Sequence, residues 1–295
     1  MKKLVNGLVR LTRYKEYPFF VMVTSLLGVS AGNGFFGWKF VGVLAANTLA
    51  VAFAFMINDV EDAPDDALDP VKAERNPVSA ADLSATTGRV ASFGVALTAG
   101  ILYSVLGLWP FVTGFSSLVI AYLYSWRRIR LKSMPFADLV SHCLMLAGFQ
   151  FLSAYFTFEA APLVRWLIPF IFILTISMYG ELFQELRDLE VDRKAGVTHT
   201  TSLIGQRAAY WLMMGLFLIG VGSGLATIFI IRLLFTWSLL LLMIFAAILV
   251  VPALMRIRRH SSQLGMQQSF QKPIEIAAAF ALVLQFVVPW AAKFF

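Results

Sequence analysis

The chain has one cysteine in 295 residues, three histidines and only 14% charged residues. A lone thiol, Cys143, excludes a disulfide framework and a cysteine-rich metal centre. His142, His199 and His260 are scattered, which argues against a histidine-based metal site. No low-complexity tract is present, and no polar linker is long enough to divide two soluble domains, so residues 1–295 read as a single membrane domain. The N-terminus is basic and polar through Glu16, without the short apolar core and small-residue cleavage site of a removable signal peptide. The first span is therefore expected to be retained.

What the chain has in abundance is apolar surface: 59% hydrophobic residues and a mean hydropathy of +0.76. That composition predicts an all-α, polytopic membrane protein. Apolar runs of spanning length fall near 17–36, 38–60, 89–108, 110–126, 136–157, 166–187, 208–230, 233–255 and 274–292. The expectation is about nine helices around a central cavity open to the cytoplasmic side. A four-helix pseudo-repeat, 17–126 and 136–255, followed by a ninth helix at 274–292, is compatible with the spacing.

Basic residues support the same topology, because 20 of the 24 Lys and Arg fall on one side of these spans. Only Lys39, Arg165, Arg232 and Lys293 fall opposite. The positive-inside rule makes the basic side cytoplasmic, with the N-terminus there, in a multi-pass protein of the cell membrane. The net charge of +7 is then a topology signal and a contact for anionic headgroups of the bilayer, with nothing to suggest nucleic acid.

Acidic residues are concentrated in another way. Thirteen of 17 lie in two stretches, Asp59 to Asp82 and Glu181 to Asp192, each at the end of an apolar run and both on the basic side. Asp59, Asp62 and Asp66 recur at i, i+3 and i+7, as do Glu185, Asp188 and Asp192. On a helix each trio lies within about 60° of arc, making an acidic face. Asn58 adds a carboxamide at i−4 from Asp62. Such oxygen-only sets suit magnesium, which binds through a few carboxylates plus substrate phosphates. Carboxylates at a helix C-terminus oppose the macrodipole, so helix stability does not explain them. Pro64 lies where it can end the first helix ahead of Asp66, placing that residue on the following turn. Basic residues follow or face both stretches: Arg75, Arg130, Lys132, Arg193 and Lys194. They can bind phosphate oxygens and stabilise charge on a departing diphosphate.

The pattern resembles the UbiA superfamily of intramembrane prenyltransferases. Its first motif matches Asn58, Asp59, Asp62 and Asp66, trailed by Arg75-Asn76-Pro77; its second matches Asp188, Asp192, Arg193 and Gly196. The segment between helices four and five matches Tyr124, Ser125, Leu131, Lys132 and Pro135, although Trp126-Arg127-Arg128 replaces the usual proline-containing turn. The resemblance covers essentially the whole chain. It implies magnesium-dependent transfer of an isoprenyl group from an isoprenyl diphosphate to a lipophilic or aromatic acceptor, with two magnesium ions held between the motifs. Asn58, Asp62, Asp66, Asp188 and Asp192 are the implied metal ligands, with Asp59 and Glu185 as ligands or supporting groups. The catalytic set is Asp62, Asp66, Asp188, Asp192 and Lys132. Arg75, Arg130, Lys132 and Lys194 are the implied diphosphate contacts, joined by Tyr124 and Arg13. Three other readings compete. A related cyclase would use the same metals on its own prenyl chain. A CDP-alcohol phosphotransferase would keep its acids in one contiguous block. A divalent-cation transporter would place its acids near the bilayer midplane.

Overall fold

A computed structural model describes the backbone of residues 2–158, 163–194, 198–229, 234–257 and 263–294. Within these, the side chains of 2, 163–164, 188, 190–194, 249–257 and 263–271 lie outside the description. The described residues are helical and contain no strand. A short amphipathic α1 (Lys2–Leu11) precedes α2 (Pro18–Ala31) and the long α3 (Trp38–Asp66). Then come α4 (Pro70–Arg75), α5 (Ala85–Leu106), α6 (Leu108–Ser125), α7 (Ala137–Cys143) and α8 (Phe149–Phe158). The second half holds α9 (Leu163–Lys194), α10 (Thr200–Ile204), α11 (Gln206–Phe229), α12 (Thr236–Ile257) and α13 (Gln263–Ala291).

Seven helices among the described residues are long and apolar enough to cross a membrane: α3, α5, α6, the α7–α8 pair, α9, α11 and α13. Pro18–Ala31 and Thr236–Ile248 are apolar but shorter. Local chemistry sets several boundaries. Pro18 occupies the first turn of α2, where its missing N–H costs nothing. Asp69 caps α4 by accepting from the backbone N–H of Val71 at 2.8 Å, and Ser84 caps α5 by accepting from Thr87 at 3.0 Å. Gly107, at φ 136, breaks α5 from α6 in a conformation that favours glycine, and so makes the tight hairpin next to Trp109-Pro110.

Pro64 does not end α3. The helix continues through Asp66, and the Ala67 N–H still reaches the Ala63 carbonyl at 3.1 Å. The last turn is held from outside, because Ser79 donates to that carbonyl at 2.8 Å and Asn76 donates to Asp66 Oδ2 at 2.9 Å. Tertiary hydrogen bonds thus offset the helix-breaking tendency of an internal proline.

A polar knot inside the bundle fixes four helices relative to one another. Asn47 of α3 donates to Ser25 of α2 at 2.7 Å and to the Gln150 carbonyl of α8 at 2.9 Å. Its Oδ1 accepts from Tyr103 of α5 at 2.7 Å and from Ser153 of α8 at 2.8 Å. All four hydrogen-bonding valences of the carboxamide are filled, as a fully buried amide requires. Tight backbone approach accompanies it: a Cβ at Gly28 would collide with the Phe151 carbonyl, and one at Gly114 with the Tyr103 ring. Between α7 and α8 the span passes through a π-helical turn, Leu144–Gly148, whose Met145 carbonyl accepts from Ser117 at 2.8 Å.

Candidate functional site

The C-terminal end of α3 carries Asn58, Asp59, Asp62 and Asp66 into one polar cluster, with partners from α6 and from the segments that follow α1, α4 and α6. Asp62 is gripped by cations: Lys132 Nζ meets its Oδ2 in a short contact, and Arg130 Nη2 lies 3.4 Å from its Oδ1. Lys132 Nζ also donates to Asn58 Oδ1 at 3.0 Å, which Ser125 Oγ approaches at 3.3 Å. Arg130 pairs in addition with Asp65 at 2.7 Å, as does Arg127 at 2.6 Å. Arg130 adopts φ 53, a left-handed backbone that a non-glycine residue seldom takes and that functional sites tolerate. Burial pushes the Lys132 ammonium below its ordinary pKa, with the Asp62 carboxylate working against that shift.

Asp59 and Arg13 are committed to each other. Arg13 Nε donates to Asp59 Oδ2 at 3.0 Å and its Nη2 makes a short contact with Oδ1, a two-pronged pair in which Asp59 is fully buried. Arg13 therefore faces a carboxylate of the first motif. Asp66 is held by Asn76, which also donates to the Asp59 carbonyl at 2.8 Å. Arg75, next to it in the chain, is exposed.

The second acidic stretch lies along α9. Tyr124 donates to Glu181 Oε1 at 3.2 Å, and His142 Nδ1 lies 3.1 Å from Glu181 Oε2. Glu185 is buried and turned toward α10, where its Oε2 accepts from the Thr201 N–H at 3.0 Å. Asp188, Asp192 and Lys194 continue the same helix, but their side chains lie outside the described residues, as does Gly196 altogether.

Sequence reasoning missed several members. Asn76 was visible only as the middle of a trailing motif. Asp138 has no neighbouring acid to flag it, yet it is buried and accepts from the N–H and hydroxyl of Thr200 at 2.7 and 2.6 Å. His199 joins Asp138 and Glu185 in a group whose donor atoms all lie within 4.8 Å of one another, because folding joins residues far apart in the chain.

The donor set Asn58, Asp62 and Asp66 is oxygen-only and, at Asn58 and Asp62, already gathers cationic side chains, so its chemistry fits a hard divalent cation such as magnesium. The model of the UbiA prenyltransferase family matches residues 19–272, and the chain belongs to that family. It is a prenyltransferase. A digeranylgeranylglyceryl phosphate synthase of Sulfolobus acidocaldarius is 28% identical over 210 residues, covering 66% of this chain and 72% of that protein. A lycopene elongase/hydratase of Haloferax volcanii is 28% identical over 193 residues, 65% of this chain and 62% of that protein. Among solved structures, a UbiA homolog from Archaeoglobus fulgidus bound to GPP and Mg2+ aligns with a TM-score of 0.71 at 20% identity, covering 96% of this chain and 99% of that one. The apo UbiA homolog from Aeropyrum pernix K1 gives 0.70 at 16% identity, covering 91% and 98%.

Proposed function

We propose that this enzyme transfers an isoprenyl group from an isoprenyl diphosphate to a lipophilic or aromatic acceptor, with magnesium as cofactor. Asn58, Asp62 and Asp66 would hold one ion, and Asp188 and Asp192 would hold a second. When bound, magnesium supplies Lewis-acid neutralisation of the diphosphate. Lys132 and Arg130 stand on the same oxygens and would turn to the diphosphate, joined by Arg75 and Lys194, donating hydrogen bonds to the leaving group as its charge grows. The C1–O bond breaks with its electron pair passing to the diphosphate. The acceptor then supplies the pair for the new bond at C1 and loses a proton. Arg13 and Asp59 fix α1 against the site, and Tyr124 fixes α9 against α6.

The observation that carries this reading is Lys132 bridging Asn58 and Asp62: a buried cation already sits where an oxygen-only set meets basic residues able to take a diphosphate. The relatives' names support the substrate class, since one bears a glyceryl phosphate product and another a carotenoid, while a structural neighbour holds GPP and Mg2+. The excess of Lys and Arg on the site's side supports a cytoplasmic-facing site in the cell membrane.

The test is to incubate purified protein with isoprenyl diphosphates of several lengths and a panel of acceptors, including a glyceryl phosphate lipid and a carotenoid. Diphosphate release and product mass are followed. Turnover should vanish with chelator and return with magnesium. Diphosphate release with no prenylated acceptor, but with a rearranged prenyl product, would replace transfer by cyclisation.

A further inference from the structure

The magnesium site proposed above uses oxygen donors on α3 and the end of α9; Glu185, which the family resemblance offers as a ligand or supporting group there, is turned toward α10 and joins a second group of donors. Asp138 of α7, Glu185 of α9 and His199, the residue before α10, each place one donor atom within 4.8 Å of the other two. The ligands of a tetrahedral zinc ion stand about 3.3–3.4 Å apart. Donors as far apart as 4.8 Å would therefore close by up to about 1.4 Å on binding an ion.

Charge balance points to the same place. Asp138 is fully buried and Glu185 is 5% exposed, and no described lysine or arginine pairs with either carboxylate. His199 places its Nδ1 3.9 Å from Asp138 Oδ2. Hydrogen bonds satisfy Asp138, which accepts from the Thr200 N–H, the Thr200 hydroxyl and the Leu139 N–H. They do not satisfy Glu185: Oε2 accepts from the Thr201 N–H, but Oε1 is buried without any hydrogen-bond partner. A buried carboxylate oxygen left unpaired beside a second buried carboxylate is costly unless a proton or a metal ion neutralises the pair.

We propose that Asp138, Glu185 and His199 bind a divalent transition-metal ion such as Zn2+, separately from the oxygen-only magnesium set. Mixed imidazole and carboxylate donors favour such an ion over magnesium, and three protein ligands leave one coordination position for water. The ion supplies the missing positive charge and ties α7, α9 and the start of α10 together. His199, whose side chain is 21% exposed, provides the route of entry.

The experiment uses the full-length protein in detergent, stripped of metal by chelator and then held in saturating Mg2+ without prenyl diphosphate. Zn2+ is titrated by calorimetry, with Co2+ as a second probe read by its visible absorption. Wild type should take up one equivalent of Zn2+, Co2+ should give a ligand-field band of a nitrogen- and oxygen-coordinated ion, and Zn2+ should raise the melting temperature. His199→Ala should bind at least tenfold more weakly and lose the band and the melting shift. Because His199 is the most exposed of the three, this variant is chosen to keep the fold, and its melting temperature without Zn2+ checks that; Glu185→Gln is the second variant. Asp62→Ala should keep the Zn2+ equivalent even though its turnover is lost. Full Zn2+ affinity in folded His199→Ala, or loss of the equivalent in Asp62→Ala alone, overturns the site and leaves the prenyltransferase reading as it stands.

Discussion

Tyr124 donates its hydroxyl to Glu181 Oε1 across 3.2 Å, and that bond joins the end of α6 to α9. The next residue, Ser125, reaches Asn58 Oδ1 at 3.3 Å, so one dipeptide touches both acid-bearing helices. Tyr124→Phe removes the link and leaves Glu181 with His142. A hydrogen bond to a charged group contributes about 1.5–3 kcal/mol, and about 1.4 kcal/mol is tenfold in rate. If the bond aligns the two motifs in the transition state, diphosphate release should slow on the order of tenfold with the fold intact. Unchanged turnover would reduce the bond to a packing detail.

Asp62→Ala and Asp188→Ala should each lower turnover by at least about a thousandfold, because each removes a carboxylate proposed to hold the magnesium that would neutralise the leaving diphosphate. In Asp62→Ala, Lys132 keeps Asn58 and Arg130 keeps Asp65, so the local structure should survive. Circular dichroism and thermal scans at matched detergent check the fold, and single-turnover assays check the chemistry. Full activity in either variant would remove the metal assignment.

The sequence made the membrane class and both acidic stretches readable, because apolar length and i, i+3, i+7 spacing are local signals. What it hid depends on contacts between distant segments. Pro64 looked like a stop, and the side chains of Ser79 and Asn76 carry the helix past it. Arg13 reads in the sequence as a diphosphate contact, and its pairing with Asp59, 46 positions away, is visible only in the fold. Asp138 and His199 carry no pattern at all until α7 and α10 meet.

Arg13→Ala should be among the most destabilising single changes, since Asp59 is fully buried and both its oxygens rest on this guanidinium. Removing one partner of a buried ion pair costs about 3–5 kcal/mol, chiefly through the charge left behind. The double variant Arg13→Leu with Asp59→Asn should recover much of that loss. Denaturation of the single and double variants measures the coupling; equal losses in both would mean that the pair contributes little.

Asn47 fills all four of its hydrogen-bonding valences inside the bundle, about three turns before Asp59 on α3. Tyr103→Phe removes one of these and should cost about 1–2 kcal/mol. Asn47→Leu strands Ser25, Tyr103 and Ser153 together and should cost several times as much. Thermal unfolding separates the two, and Michaelis constants for prenyl diphosphate in Tyr103→Phe should stay at wild-type values.

Asp82 provides the pH test. Lys3 lies 3.2 Å from its Oδ1 and Arg10 2.5 Å from its Oδ2, so two cations of α1 clamp the loop ahead of α5. The Lys3 ammonium, helped by Arg10, holds this carboxyl below its ordinary value of 3.8. A group with a depressed folded pKa stabilises fully above the unfolded value, and that contribution is lost as pH falls through the folded one. Docking of α1 should therefore be unchanged from pH 7 down to about 4 and weaken below it. High salt at pH 7 should loosen it too, since the pair is near the surface and the screening length shrinks from about 10 Å at 0.1 M to about 3 Å at 1 M. Hydrogen-exchange protection factors of the α1 amides follow both effects. Asp82→Asn should show, already at pH 7, the lowered protection that wild type reaches only in acid; if its α1 amides stay as protected as in wild type, the apolar contacts of Leu8 and Leu11 hold the helix without the clamp.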